Sequence, residues 1–321
     1  MQRESNSTIR YFLVRLAELF ITLLLVSFMT FAAFSIIPGD AASVILGANA
    51  TPSQIANLRH EMGLDRPLYV QYFSWLAGAF TGNLGTSVSF GVSVSSLIAQ
   101  RLPVTLGMSV IALIMVIVIS YPMALVSSRR PGRIADQICS VLGHILFAIP
   151  PFVLSLLMIL ATGSLFGLMS VGRYVKPSDD LIGFIGCLLL PSFCIALPKI
   201  AMTFKFLRSS MIEQNASDHV RTARSHGLSE FIIEWRHIIP NSNVSAITVI
   251  SIVLSDILGG SLIVEQVFNL PGLGRLLLMG ISRRDFPLLS GMILYLALIT
   301  VVLYFLADIL SAAADPRIRI K

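Results

Sequence analysis

The chain has 321 residues, of which 55% are hydrophobic and 12% are charged, whereas an ordinary soluble domain is about a quarter charged. This composition excludes an ordinary soluble domain and indicates a membrane protein. The three cysteines lie inside apolar runs, which excludes an extracellular disulfide framework. None of the lysines follows a glycine, so the sequence lacks the Gly-Lys-Ser/Thr loop of a P-loop ATPase.

Six apolar stretches are long enough to cross a bilayer core, which takes about 20 residues of helix. The first stretch is too long for the apolar core of a signal peptide, so we expect it to remain attached. We expect the fourth to be kinked, because Pro191, Pro198 and Lys199 interrupt it. The predicted transmembrane helices are residues 16–37, 104–126, 138–160, 181–202, 244–264 and 287–307.

Positive charges set the expected orientation, because Lys and Arg collect in cytoplasmic loops. With the N-terminus inside, fifteen of the 23 Lys and Arg residues lie in cytoplasmic segments. Both terminal segments, residues 1–15 and 308–321, are therefore predicted to be cytoplasmic. The same distribution explains the net charge of +6, and it predicts no nucleic-acid partner.

Residues 38–103 are predicted to leave the membrane on the outer side and to start at Pro38-Gly39-Asp40. Thr51, Pro52 and Gln54 form a capping box that predicts a short helix up to Gly63. A second helix fits residues 69–80, with Tyr69, Tyr72, Phe73, Leu76 and Phe80 on one face. We interpret this segment as a small cap on the outer mouth of the bundle; a passive spacer is the alternative. His60-Glu61 lacks the second histidine of a zinc-protease helix, so no metal site is predicted.

Residues 209–243 form the longest predicted cytoplasmic segment, and their composition is that of a soluble protein. Ser217 can cap a short helix with Val220 and Ala223 on its apolar side, and Gly227 can end that helix in a left-handed conformation. Ser229 can begin a second helix that stops at Pro240. Small residues at Ala223 and Gly227 would let another backbone approach, so this helix could dock in a groove of a partner. The alternative is a loop helix that lies on the lipid headgroups.

Several motifs of this chain, in this order, resemble the dipeptide, oligopeptide and nickel branch of the ABC importer permeases, and specifically its first permease subunit. The strongest is the cytoplasmic "EAA" loop of those permeases, whose Glu-Ala-Ala triplet reads Arg221-Thr222-Ala223 here, as is usual in the peptide branch. His237 stands where that loop commonly has Ile, and Asp256 where the family has an uncharged residue. The matching stretches are residues 36–41, 64–67, 82–87, 101–106, 218–228, 236–241, 265–275 and 314–319.

The resemblance implies the type I importer fold and a permease subunit that is not itself an enzyme. It further implies a bacterial inner-membrane complex with a second, homologous permease, two cytoplasmic ATPase subunits and an extracytoplasmic solute-binding protein. ATP and Mg would bind on the ATPases, and this chain would bind no cofactor. The coupling contacts carried over to this sequence are Asp218, Val220, Arg221, Thr222, Ala223, Arg224, Gly227, Leu228 and Pro240.

Candidate pathway residues follow from a buried charge and from the predicted outer loop, residues 265–286. Asp256 lies in mid-span, where an ionisable side chain commonly faces a cavity or a partner; pairing with Ser251, Ser255 or a neighbouring helix is the alternative. The resemblance implies that this loop contacts the gate or the solute-binding protein, although a plain tight turn fits as well. The candidates are Asp256, Gly259, Gly260, Glu265, Phe268, Pro271, Gly272 and Gly274.

Di- and oligopeptides are the expected substrates, with nickel chelates, opines and oligosaccharides as alternatives. An ion-gradient-driven transporter would have to work with six spans and no clear internal repeat. A membrane-embedded hydrolase is disfavoured because residues 85–89 do not complete a nucleophile elbow.

Overall fold

The computed structural model describes residues 2–36, 46, 50–61, 63–166 and 174–314. The predicted start of the outer segment at Pro38 and the motif that follows Ala314 lie outside these residues. Within them the chain is nearly all helical, apart from one isolated bridge between Thr86 and Ser93. The helices are α1 (Gln2–Ile36), α2 (Pro52–Glu61), α3 (Leu68–Phe80), α4 (Val94–Arg129), α5 (Ile134–Ala148), α6 (Pro151–Phe166), α7 (Leu181–Asn215), α8 (Asp218–Ser225), α9 (Glu230–Ile233), α10 (Ile239–Val267), α11 (Leu273–Ser282) and α12 (Phe286–Ala314).

Five of the described helices are long and apolar enough to cross a membrane, and α5 with α6 makes a sixth span if the pair is taken as one. This agrees with the predicted all-α, six-span architecture. The third span is not one helix over 138–160, because α5 and α6 meet at an angle of 101°. Ile149 adopts an extended conformation there, since residues that precede a proline avoid the α region and Pro150 and Pro151 follow.

Helix α7 includes Pro191 and Pro198 in one continuous helical run, and the kink that the sequence predicts there stays a prediction. Both prolines are buried, and the hydroxyl of Ser192 donates a hydrogen bond of 3.1 Å to the carbonyl of Met108 in α4. Neighbouring helices therefore support this part of α7, as membrane helices with internal proline require. The helix also extends well beyond the predicted end at residue 202, to Asn215.

The chain divides into two compact units. The first unit contains Val104–Leu270 together with the described parts of residues 1–12 and 303–321, and its core is built from α4, α7 and α10. The second unit contains Leu13–Pro103 and Pro271–Val302, and its core includes Leu84, Leu97 and Leu288.

The two helices predicted in the outer segment are present in the second unit. The capping box forms, since the Thr51 N–H donates to Gln54 Oε1 at 2.9 Å and the Gln54 N–H donates to Thr51 Oγ1 at 3.4 Å. Helix α3 lies along α1: Tyr72 is hydrogen-bonded to Ser27 at 2.9 Å, and its ring contacts Phe31. Tyr69, Phe73 and Phe80, on the face predicted to pack, are exposed instead. Because apolar residues extend around most of α3, its pattern alone could not select the face that packs.

Candidate functional site

Helix α8 is the predicted short helix of segment 209–243, and its inward face is apolar. Val220 is fully buried and Ala223 is nearly so. They pack in one cluster with side chains of α4, α7 and α10 and of the turn that leads into α10. The other buried members of this cluster are Ala124, Phe204, Leu207, Met211, Ile233, Ile238, Ile239 and Ala246.

Helix α8 ends as its sequence predicts but begins differently. Gly227 has a φ of +77°, the left-handed conformation that glycine adopts without strain, and the Leu228 N–H donates to the carbonyl of Ala223 at 3.3 Å. Ser217 occupies the N-cap position, but its hydroxyl donates to the carbonyl of Gln214 instead of accepting from α8.

The outward face of α8 is polar. Asp218, Arg221 and Thr222 are exposed, whereas the small residue Ala223 points into the chain's own core. An added Cβ at Gly227 would meet no atom within 4 Å. Glycine is therefore favoured at this position by the backbone conformation and not by a lack of space. The side chains that α8 offers to a partner are therefore charged and hydroxylated, where small apolar ones were expected.

The sequence predicted that the second helix stops at Pro240, but the helical course continues through this residue. A five-residue π-helical turn, Glu234–Ile238, joins α9 directly to α10, and Ser229 caps α9 as the sequence predicted. A proline lacks the N–H of a regular helix and clashes with the carbonyl four residues earlier. The wider turn just before Pro240 accommodates both effects, so the helical course that begins with α9 continues into α10.

Arg224 joins three parts of the segment. Its guanidinium donates to Glu230 Oε1 at 2.9 Å and Oε2 at 3.3 Å, and it also donates to the side chain of Asn215 at the end of α7. The hydrogen bond from Arg224 holds the pKa of the Glu230 carboxyl below its ordinary value. Through these contacts Arg224 links the end of α8 to the end of α7 and the start of α9.

Two further arginines connect the segment and its surroundings to the spanning helices. Arg129, the last residue of α4, donates to both oxygens of Glu234 at 2.5 and 2.6 Å. Arg208 of α7 donates to both oxygens of Asp136 at 2.5 and 2.7 Å. Both carboxylates are buried, with side-chain exposures of 6% and 4%. Bidentate pairs of this kind fix orientation as well as distance.

From the sequence, both arginines count only among the cytoplasmic charges that set the orientation, and their partners are not predicted. A usable signal was present: Asp136 and Glu234 are acidic residues set among apolar helical neighbours, where an unpaired charge is costly. Glu234 also lies in the wall of a cavity of about 410 Å³, which is lined by Leu125, Ser128, Arg129, Arg130, Asn215, Arg224, Glu230, Glu234 and Ile238.

The mid-span charge Asp256 has a partner on a neighbouring helix. Lys199 of α7 donates to Asp256 Oδ2 at 2.7 Å. The partner is therefore the lysine that interrupts the fourth predicted span. On α10, Asp256 stands in an exposed stripe with Ile252, Gly259 and Ile263. Gly259 is open, with no atom within 4 Å of an added Cβ, whereas Gly260 approaches Ile195 of α7.

The remaining pathway candidates are largely buried. Glu265 is fully buried and accepts a hydrogen bond of 2.5 Å from Thr105, and Phe268 lies in the same core. In the second unit, Gly272 and Gly274 are buried at the start of α11 and Pro271 is partly buried. The predicted loop 265–286 thus contains the end of α10 and the whole of α11.

Metal binding has no support among the described residues, where no group of three His, Cys, Asp or Glu side chains could hold an ion. His60 is hydrogen-bonded to Asp65 at 2.6 Å. That bond lowers the pKa of the Asp65 carboxyl.

Two family models match the chain. Residues 120–320 match the family described as "Binding-protein-dependent transport system inner membrane component". Residues 8–109 match the N-terminal family of the same membrane components. Together they account for most of the sequence.

Relatives extend over nearly the whole chain. A Brucella abortus (strain 2308) protein, provisionally named a peptide transport system permease, is 36% identical over 96% of this chain and 98% of its own length. The dipeptide transport system permease protein of Lactococcus lactis subsp. cremoris is 33% identical over 97% and 100%. A solved structure of the MetNI methionine ABC transporter, inward facing, is similar in fold, with a TM-score of 0.55, 19% identity, and coverage of 68% of this chain and 96% of that one.

Proposed function

Because this chain belongs to the family of binding-protein-dependent transport system inner membrane components, we propose that it forms half of a translocation pathway for di- and oligopeptides. It is a multi-pass permease subunit of an ABC importer with the type I fold. Permease subunits of this family are not enzymes, and ATP hydrolysis lies in separate subunits. This chain aligns with nearly the full length of these relatives, and their names support peptides as the cargo.

The assembly we propose places this chain beside a homologous second permease in the bacterial inner membrane. Two ATPase subunits, which bind ATP and Mg, face segment 209–243 from the cytoplasm, and a solute-binding protein delivers peptide on the other side. Both termini of the chain are then cytoplasmic. The excess of Lys and Arg in the corresponding segments supports this orientation.

In this assembly α8 transmits motion of the ATPases to the spanning helices. One observation supports this coupling role: the outward face of α8 is polar, and its inward face is anchored in the chain's own core. Val220 and Ala223 bury its inner face, and Arg224 ties it to α7 and α9. The π-helical turn then continues without a break into the spanning helix α10. A displacement imposed on Asp218, Arg221 and Thr222 by an ATPase is therefore passed to the bundle, because the connecting elements are packed and paired.

Replacing Gly227 tests this role. Gly227→Val places a β-branched side chain at a φ of +77°, which is strained whatever the available space. We expect the assembly to form but peptide uptake per ATP hydrolysed to fall at least tenfold, roughly what about 1.4 kcal/mol of strain would cause. Uptake and hydrolysis are measured together in proteoliposomes that contain the whole transporter.

Two controls separate coupling from general backbone strain. Gly227→Asn retains most of the ratio, because asparagine tolerates the left-handed conformation. Gly91→Val introduces similar strain at a φ of +66° in the second unit and should leave the ratio unchanged. Normal coupling in Gly227→Val, or an equal loss in Gly91→Val, would refute the role of α8.

A further inference from the structure

The ion pair between Lys199 and Asp256 lies in an unusual place for two charges. Both residues stand within helices that are long and apolar enough to span a membrane. The side chain of Asp256 is nevertheless 45% exposed, and that of Lys199 is 19% exposed. A half-exposed carboxylate facing hydrocarbon would be strongly unfavourable. The exposed side of the pair must therefore face water or another protein.

The two helices that carry the pair are more buried than α1 and α12. In the most apolar stretch of α7, 50% of the residues are buried, and in that of α10, 39% are. The corresponding values for α1 and α12 are 11% and 6%. On α10 the exposed positions include a stripe of Ile252, Asp256, Gly259 and Ile263.

The geometry leaves binding capacity on both charges. Only Oδ2 of Asp256 accepts from Lys199; among the described residues, Oδ1 makes no hydrogen bond. The ammonium of Lys199 has three donors, of which one is used by this pair. Gly259 lies one helical turn from Asp256, and the space beside it is open. A ligand carboxylate can therefore reach the lysine, and a ligand ammonium can reach the aspartate.

We propose that Lys199 and Asp256 form a subsite on the pathway wall that binds the charged side chains and termini of a passing peptide. The inference rests on the proposed function, since it names the ligand of that pathway. A single lysine makes an exchangeable point contact, in contrast to the rigid fork of an arginine. Each member offsets the charge of the other, so peptides of either sign can pass.

The test is charge-dependent uptake by single variants. Three peptides that differ only in the middle side chain are used: Ala-Lys-Ala, Ala-Gln-Ala and Ala-Glu-Ala. For each peptide, uptake by the variant is divided by uptake by the wild type, so that the preference of the binding protein cancels. The measurement uses the complete transporter in proteoliposomes.

Opposite shifts are expected from the two variants. Asp256→Asn leaves the lysine uncompensated, so uptake of Ala-Lys-Ala should fall relative to Ala-Gln-Ala by roughly fivefold or more, as like charges in close approach repel. Uptake of Ala-Glu-Ala should rise. Lys199→Gln should produce the reverse order. Equal losses for all three peptides, or unchanged ratios, would overturn the subsite and leave the pair a structural contact.

Further variants keep the test decisive. Lys205→Gln removes a charge from an exposed position of the same helix; a charge-dependent shift of equal size there would overturn the proposal.

If a single variant does not assemble, Lys199→Gln combined with Asp256→Asn leaves no unpaired charge. Both charged peptides should then lose uptake relative to Ala-Gln-Ala, and constant ratios would overturn the subsite. Import of none of the peptides by the wild type would overturn the proposed function, and the subsite with it.

Discussion

Ion pairs join helices in two regions of the first unit, and they are built differently. Around segment 209–243, the carboxylates of Asp136 and Glu234 are buried and each is held by both arms of an arginine. Between α7 and α10, Asp256 is half exposed and is held through one oxygen by a lysine. A buried, bidentate pair resists separation, whereas an exposed, single contact exchanges readily. The first arrangement suits transmission of force, and the second suits contact with a moving ligand.

The largest effect that would sharpen this contrast is expected at Asp136. Asp136→Asn keeps the shape of the side chain but leaves the guanidinium of Arg208 without its counter-charge. We expect a loss of about 3 kcal/mol in the free energy of unfolding, measured as denaturation of the purified assembly in detergent.

Asp218→Asn is the matched control for that measurement. Asp218 is 99% exposed and lies 3.8 Å from Arg221, and exposed pairs contribute little to stability. No measurable change in denaturation is expected. Similar small losses in both variants would contradict the distinction between buried and exposed pairs.

An intermediate effect is expected when Arg129 is changed to lysine. Arg129→Lys keeps the charge but removes the fork that contacts both oxygens of Glu234, and such a substitution is not conservative at a bidentate site. Peptide uptake per ATP hydrolysed should fall about threefold, because a pair weakened by roughly 0.7 kcal/mol no longer fixes the segment to α4.

Arg133→Lys, at an exposed position near the start of α5, is the control for Arg129→Lys. It should leave the ratio of uptake to hydrolysis unchanged. A normal ratio in Arg129→Lys would show that the fork is dispensable for coupling.

The smallest effect concerns pH and the exposed pair of Arg224 with Glu230. Because the pKa of Glu230 is lowered in the folded chain, its stabilising contribution is present above the unfolded pKa and is lost as pH falls through the folded pKa. The stability difference between the wild type and Glu230→Gln should therefore shrink on acidification, as followed by denaturation across an acid series. A difference that stays constant down to the lowest pH would argue against the pairing.

Much of the fold follows from patterns that are local in the sequence. Apolar length predicts the spans, the Thr51 capping box predicts the start of α2, and Gly227 predicts the end of α8. Each of these depends on residues a few positions apart, and each is present in the structure. The break between α5 and α6 was not predicted, although prolines also lie inside the continuous helix α7. Whether a proline bends a helix depends on the neighbours that support it.

The sequence by itself determined an all-α membrane chain, the short helix of segment 209–243 that ends at Gly227, and the soluble-protein composition of that segment. Only the tertiary structure decided which charges meet. Arg208 and Asp136 are separated by 72 positions, Arg129 and Glu234 by 105, and Lys199 and Asp256 by 57. Helical periodicity relates residues three or four positions apart. A partner brought from another helix is selected by packing of the apolar cores, which aligns the helices and so decides whether a charge becomes a buried anchor or an open contact.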